Sequence, residues 1–396
     1  MQDMNVEQIQ NIIKEVYEEE KRIHNLNPDI TPVTVIQFYK DYVKDLTKDK
    51  QSLKSKMKIA KLPLHASGVY LGDTETKEGS IFIFLQKHNK LKEVGSNLYK
   101  TLFVCYHEIR HASQINYDKY SYDGFIYDMD YFLQKQSTAD YHAEHSKYSY
   151  EIGANLYGAI KAKEYIQKNY PDLYEQEKEY IEKFEQKQKF YYMTYDASDT
   201  IDRMLDAAKT QLKNNNSEEI QNMDKISPVL GMFLNSDMSC KNINEIITQE
   251  KFKTLDKRIV YAFLSSKTFL DNINIEELSD EGLSLLSESL QYTNLLYQNQ
   301  FKWLEQEKSI NLTELLKAEK SILQKYALIG DYYTRKIKHK LNFRRSDKKR
   351  EEHMESVPEY LEKTNKLIRK RTIDGYITIN IFYILGSIIS LSTILY

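Results

Sequence analysis

Proline and glycine are scarce in this chain, at 6 and 12 of 396 residues, so little in it interrupts helices. Long stretches rich in Lys, Glu, Gln, Leu and Ile space their apolar residues three and four apart and read as helix. The expected fold class is mainly α with a small β element, an α+β chain. Cysteine is scarcer still. Cys105 and Cys240 exclude a disulfide framework and suit a reducing compartment. An excess of one charge is also missing: 56 basic residues against 58 acidic ones leave a formal net charge of -2. That excludes a global field of the kind that draws a protein to DNA or RNA, and no nucleic-acid partner is expected. The opening residues carry neither a basic n-region nor an apolar h-region, so they read as no secretory signal and the expected location is the cytoplasm. No fixed-period repeat is present.

Length alone allows two domains or one large irregular one. A first helix is expected near Val6 to Ile23, with Val6, Ile9, Ile13 and Val16 on one stripe. After "NLNPDITP", Thr31 reads as an N-cap and Pro32 as the first residue of a second helix through Ile36, Tyr39, Val43 and Leu46. "GVYLGDTETKEGSIFIFLQ" reads as a β-hairpin turning at Gly72, Asp73 and Gly79. Ser96 then caps a helix running to about Asn116. Tyr117 to Gln136 is aromatic and acidic without a clear period and reads as irregular; a further helix is expected from about Thr138 to Gln167. Beyond Tyr191 the texture is helical again, with a loop at Asn214 to Asn216. Leu283, Leu286 and Leu290, then Leu312, Leu315, Leu316 and Leu323, read as core faces.

Two later segments have a bland and a sharp reading each. "RKIKHKLNFRRSDKKR", from Arg335 to Arg350, is either a solvated basic face or a surface for anions. The last 21 residues hold no charge and reach bilayer-spanning length. They also alternate like a strand from Tyr376 to Ile381, as a buried C-terminal element would. Should they span, Lys366, Arg369, Lys370 and Arg371 keep the N-terminal bulk cytosolic. The expected division is a domain over 1–195, a helical region over 196–373 and an apolar tail over 374–396 that is a candidate membrane anchor.

Chemistry concentrates in "CYHEIRHASQ", Cys105 to Gln114. On a helix each residue advances about 100°, so His107 and His111 share one face and can aim their imidazoles at a single ion, with Glu108 on the flank. Two neutral imidazoles and one further ligand suit Zn2+ with a position left for water, whose proton an adjacent carboxylate can take. Leu98, Leu102, Cys105 and Ile109 fall on the opposite arc and read as the packing face, so Cys105 is a buried hydrophobe and not a ligand.

These residues resemble the zincin metallopeptidases, whose active-site helix carries H-E-x-x-H. "HEIRHASQ" is also similar to H-E-x-R-H-x-x-Q helices of uncharacterised bacterial metallopeptidases. The metzincin branch would need Gly at position 114 and His at position 117, where this chain has Gln114 and Tyr117. The resemblance is to the gluzincin branch, which takes a glutamate from a second helix downstream. In "YSYEIGANLYG" that implies Glu151, with Asn155 one turn on to hold an imidazole N–H. His142, Glu144, His145, Asp118, Asp123 and Asp140 stand as rival ligands. For a hydrogen bond to a developing oxyanion the resemblance implies His145, with Tyr148 and His142 in competition. "SIFIFL" is either an edge strand that pairs with an extended substrate or an internal core strand. Arg110 is expected to pair structurally.

The resulting expectation is a zinc-dependent peptidase acting on a peptide or protein substrate. His107, His111 and Glu151 hold the metal, Glu108 is the general base, and His145 and Tyr148 are the further catalytic candidates. The alternative is a non-catalytic helical scaffold or membrane-tethered interaction protein with a vestigial motif.

Overall fold

The computed structural model describes residues 6–35, 41, 42, 44, 67–72, 79–85, 98–114, 116–136, 148–213, 226–306, 311, 314 and 318. It is mainly helical with one three-stranded sheet, as the composition implied. Helix α1 spans Val6–His24. It buries Ile9, Ile12, Ile13, Val16 and Tyr17 along one stripe. It stops because Asn25 adopts a left-handed φ of 49°, letting the Leu26 amide reach back to the Lys21 carbonyl at 3.0 Å.

The sheet runs β1 (Ile30–Val35), β3 (Gly79–Phe84), β2 (Gly68–Gly72) in spatial order. β1 is parallel to β3, with Ile30 opposite Gly79 and Val35 opposite Phe84, and β2 is antiparallel to β3, as a hairpin requires. Along β3 the side chains alternate. Ile81 and Ile83 join the main core with α1 and the motif helix, while Phe82 and Phe84 pack on the other face with Val69 and Tyr42.

One expectation about this region needs correction, and the two alternatives left open for "SIFIFL" are decided in favour of an internal strand. Thr31 and Pro32 do not open a helix, because "ITPVTV" is a strand. Its β-branched residues favour the pleat, and Pro32 is tolerated on a strand that lies at the edge of the described sheet. Residues 41, 42 and 44 are helical; the rest of that expected helix lies outside the described residues. β3, which contains "SIFIF", is the middle strand, so β2 and not β3 is the strand next to the motif helix with an outer edge among the described strands.

Helix α2 (Leu98–Gln114) carries the motif and buries Leu98, Leu102, Cys105 and Ile109 as its packing arc predicted. The stretch read as irregular contains α3, Tyr122–Gln136. Ser121 caps it, its Oγ accepting from the Gly124 amide at 3.2 Å. Phe125, Ile126, Met129 and Phe132 form the buried stripe. Tyr127 and Tyr131 on its other side masked that period, because tyrosine counts as apolar in a pattern while tolerating exposure.

Helix α4 is Ser149–Asn169, not a continuation from Thr138, since Tyr148 is extended at φ -74° and ψ 143°. Pro171 opens α5 (Pro171–Met193), and α6 is Ala197–Lys213. α4 lies against both α2 and α5, and α6 packs on α3. Small residues bring α4 close to α2: a Cβ at Gly158 would stand 2.7 Å from the Phe103 carbonyl oxygen.

The chain divides into two compact units, one of residues up to Lys241 with Glu250–Ile259, the other of Asn242–Gln249 with residues from Val260 onward. In the second unit the 27-residue helix Asp280–Gln306 buries Leu283, Leu286 and Leu290, the expected core face. Asn244 ties this unit together, accepting from the Ser279 amide at 3.0 Å and donating to the Glu277 carbonyl at 2.9 Å. Among the described residues no helix is long and apolar enough to cross a membrane. The basic run, the apolar tail and Leu312, Leu315, Leu316 and Leu323 lie outside those residues.

Candidate metal centre

His107 and His111 stand one turn apart on α2, with their Nε2 atoms 2.9 Å apart and their rings perpendicular at 89°. Both nitrogens point toward α4. Glu151, in the first turn of that helix, brings one carboxylate oxygen to 3.1 Å from His111 Nε2 and the other to 3.4 Å from His107 Nε2. Its side chain is buried.

Three features of local folding deliver Glu151 there. Gly158, seven residues on along α4, lets the helix backbones approach. The buried carboxylate of Asp130 on α3 accepts from the Ser149 amide at 2.6 Å and caps the helix start. Burial pushes Asp130 up to about 6, against the hydrogen bonds from Ser149 and the charge of Arg203. Gln114, the last residue of α2, donates from Nε2 to the Tyr150 carbonyl at 2.8 Å and ties the two helices beside Glu151.

Glu108 faces strand β2 on the other flank. A Cβ at Gly68 would stand 2.9 Å from its Cγ, so the glycine leaves room for the carboxylate side chain. His107, Glu108 and His111 form a group whose ligand atoms lie within 4.8 Å of one another. Two carboxylates therefore compete for one role. Contact distance favours Glu151 as the partner of both imidazoles, since its oxygens reach both Nε2 atoms, whereas Glu108 takes a hydrogen bond from the Tyr70 backbone. Burial raises the Glu108 pKa above the ordinary glutamate value, and the Glu151 charge adds to this; the two imidazoles and the Tyr70 amide act in the other direction. A carboxyl whose pKa is raised in this way holds a proton more readily than an ordinary glutamate.

The two imidazoles differ in their outer nitrogens. His111 Nδ1 stands 2.8 Å from Gln114 Oε1. His107 Nδ1 is buried without a hydrogen-bond partner among the described residues, so the bond expected from Asn155 does not hold that ring. Burial opposes charge on His111, but the charge and hydrogen bond of Glu151 outweigh it and push the pKa up to about 9. The physical cause is plain: acceptor atoms converging in a dry site need a cation or a proton between them.

Tyr148 is buried at the start of α4, its ring stacked on Tyr150 at 5.6 Å, and Tyr150 lies edge-on to His111 at 5.9 Å. Arg110 lies between two tyrosine rings, 5.3 Å from that of Tyr117 and 5.2 Å from that of Tyr157, a structural pairing through cation–π contact. Cys105 is fully enclosed and belongs to the core. Asp118 serves its own turn, accepting from the Tyr120 amide at 3.1 Å, and Asp123 sits in the first turn of α3. His142, Glu144, His145 and Asp140 lie outside the described residues.

Sequence reasoning missed Asp130 and Gly158 and treated Gln114 as a flank. Gln114 had a signal, because its i+3 spacing places it beside His111 on the helix surface. Comparison of the chain with protein-family models, with curated proteins and with solved structures returned no significant match.

Proposed function

We propose that this chain is a zinc-dependent hydrolase of the gluzincin kind, acting on peptide bonds. The observation that carries the reading is the convergence of two imidazole Nε2 atoms and one carboxylate at separations of 2.9 to 3.4 Å. Ligands at about 2.0–2.1 Å around a tetrahedral zinc stand roughly 3.3–3.4 Å from one another, so the donor set fits with small adjustment. Two neutral nitrogens and one carboxylate also match the ligand chemistry that zinc takes at hydrolytic centres. His107, His111 and Glu151 would hold the ion. Bound there, zinc supplies Lewis acidity, polarising an amide carbonyl and bringing the pKa of water toward ~7.

The chain's own groups do the rest. Glu108, buried and anchored on the Tyr70 backbone, accepts a proton from the attacking water and returns it to the leaving amine nitrogen. A carboxyl with a raised pKa suits both transfers. Glu151 keeps the two imidazoles facing one point, and α2 and α4 approach closely at Gly158. The developing oxyanion takes a hydrogen bond from Tyr148 or His145 in this reading. The assignment to peptide bonds rests on the H-E-x-x-H pattern with its downstream glutamate.

The test compares the zinc-reconstituted protein with Glu108→Gln on a mixture of internally quenched peptides. The wild type is expected to cleave, with a chelator abolishing the activity. Glu108→Gln is expected to lose about 10²–10⁴-fold in turnover while zinc content stays unchanged. Undiminished cleavage by the variant, or zinc lost in step with activity, would refute the role given to Glu108.

A further inference from the structure

The zinc reading leaves open what orients the histidines, and the two are not treated alike. We infer that Gln114 is a positioning residue that locks His111 into the tautomer able to ligate through Nε2, using a backbone carbonyl of α4 as its reference. This deepens the zinc reading and rests on it.

A chain of donors and acceptors fixes where the protons lie. The Tyr150 carbonyl can only accept, so the side-chain group of Gln114 that meets it at 2.8 Å must be the NH2. The amide oxygen then faces His111 Nδ1 at 2.8 Å. An amide oxygen can only accept, so Nδ1 must carry the proton. Neutral imidazole with its proton on Nδ1 has its lone pair on Nε2, the nitrogen that meets Glu151 and His107. A peptide carbonyl one residue before Glu151 thus dictates which nitrogen of His111 is free.

Burial gives the arrangement rigidity. Gln114 is 3% exposed, so water does not compete for either end of the amide. The Tyr117 hydroxyl is a further hydrogen-bond partner of this side chain, and Arg110 lies over the Tyr117 ring. Among the described residues His107 has no such anchor, because its Nδ1 is buried without a hydrogen-bond partner there. The outer nitrogen of one ring is held by Gln114, and that of the other meets no hydrogen-bond partner among the described residues, so Gln114 is the side-chain anchor of the pair.

The same side chain also couples the two helices. Its bond to Tyr150 joins the end of α2 to the start of α4 next to Glu151. Two functions follow, and two variants separate them. Gln114→Glu can still accept from Nδ1–H but cannot donate to the Tyr150 carbonyl. Gln114→Leu does neither.

The experiment measures zinc affinity by competition with a chromophoric chelator, and the 1H–15N signals of histidine side chains in the zinc-loaded proteins. The wild type is expected to show an exchange-protected Nδ1–H resonance that disappears in His111→Ala. Gln114→Leu should bind zinc about 10–100-fold more weakly and lose that protection. Gln114→Glu should recover affinity to within about threefold of wild type, because the acceptor at Nδ1 is restored. Wild-type affinity and an unchanged resonance in Gln114→Leu would overturn the inference and leave the zinc reading standing. Should Gln114→Leu not fold, affinity lost by 10-fold or more in a folded Gln114→Glu overturns it too. A wild-type chain that takes up no zinc would instead overturn the zinc reading, and this inference with it.

Discussion

Helix α4 contributes to two clusters that each hold a buried glutamate beside histidine, and they are opposites. At its first turn, Glu151 meets His107 and His111, with Glu108 nearby. Two turns later, Tyr157 and Lys161 meet Glu20 and His24 of α1. In the second cluster donors surround one acceptor. His24 Nε2 lies 3.1 Å and Lys161 Nζ 3.8 Å from the Glu20 carboxylate, and the Tyr157 hydroxyl donates to it. Burial alone would raise the Glu20 pKa, but the bonds from His24 and Tyr157 and the charge of Lys161 hold it below the ordinary value. In the first cluster one carboxylate faces two imidazole Nε2 atoms that also face each other, and His107 Nδ1 has no hydrogen-bond partner among the described residues. A satisfied network is structural; a ring of acceptors around one point calls for a ligand.

That contrast can be broken most sharply by activity. Glu108→Gln should cost about 10²–10⁴-fold in turnover, whereas Glu20→Gln should leave turnover per folded molecule nearly unchanged; comparable losses in peptide-cleavage assays would erase the distinction. Gly158→Ala comes next. Its new methyl meets the Phe103 carbonyl oxygen at 2.7 Å, so α4 must shift, destabilising the protein by about 1–3 kcal/mol and weakening zinc binding. Calorimetric melting and a zinc titration check both parts.

Stability should then separate the two glutamates by sign. In chelated protein at pH 7, Glu20→Gln removes a favourably held charge and is expected to lower stability by about 1–3 kcal/mol. Glu108→Gln removes a charge that burial disfavours and is expected to raise it, the usual trade at functional positions. Denaturant melts that move both variants in one direction would contradict this.

The smallest effect is in the pH profile of the chelated protein. His111 titrates higher folded than unfolded, so its contribution is full below 6.5 and fades as pH rises through about 9. Glu20 titrates lower when folded, so its contribution is present above the ordinary 4.5 and fades as pH falls below it. Removing His111 should flatten the alkaline limb, and removing Glu20 the acid one.

The motif helix was legible because its signal is contiguous: the spacing of His107 and His111 and the apolar arc opposite need no tertiary information. The hairpin and the core face of Leu283, Leu286 and Leu290 were legible for the same reason. Thr31 and Pro32 misled because an N-cap followed by proline and an edge strand with proline share one local pattern, and pairing with β3 decided between them. α3 was hidden by Tyr127, half-buried, and Tyr131, exposed, which lie off the buried stripe but count as apolar in the pattern. Asp130, which caps α4, was therefore out of reach, since nothing local links it to Ser149 across 19 residues. Gly158 reads as a weak spot in a helix until the carbonyl of Phe103 is seen against it.

The proposed function requires one shared cation between α2 and α4, and a zinc titration of the metal-free chain by calorimetry addresses it most directly. About one zinc per chain is expected, with binding abolished in His107→Ala and Glu151→Ala and unaltered in Glu20→Gln. No uptake by the wild type, or uptake that survives loss of both His107 and Glu151, would contradict it.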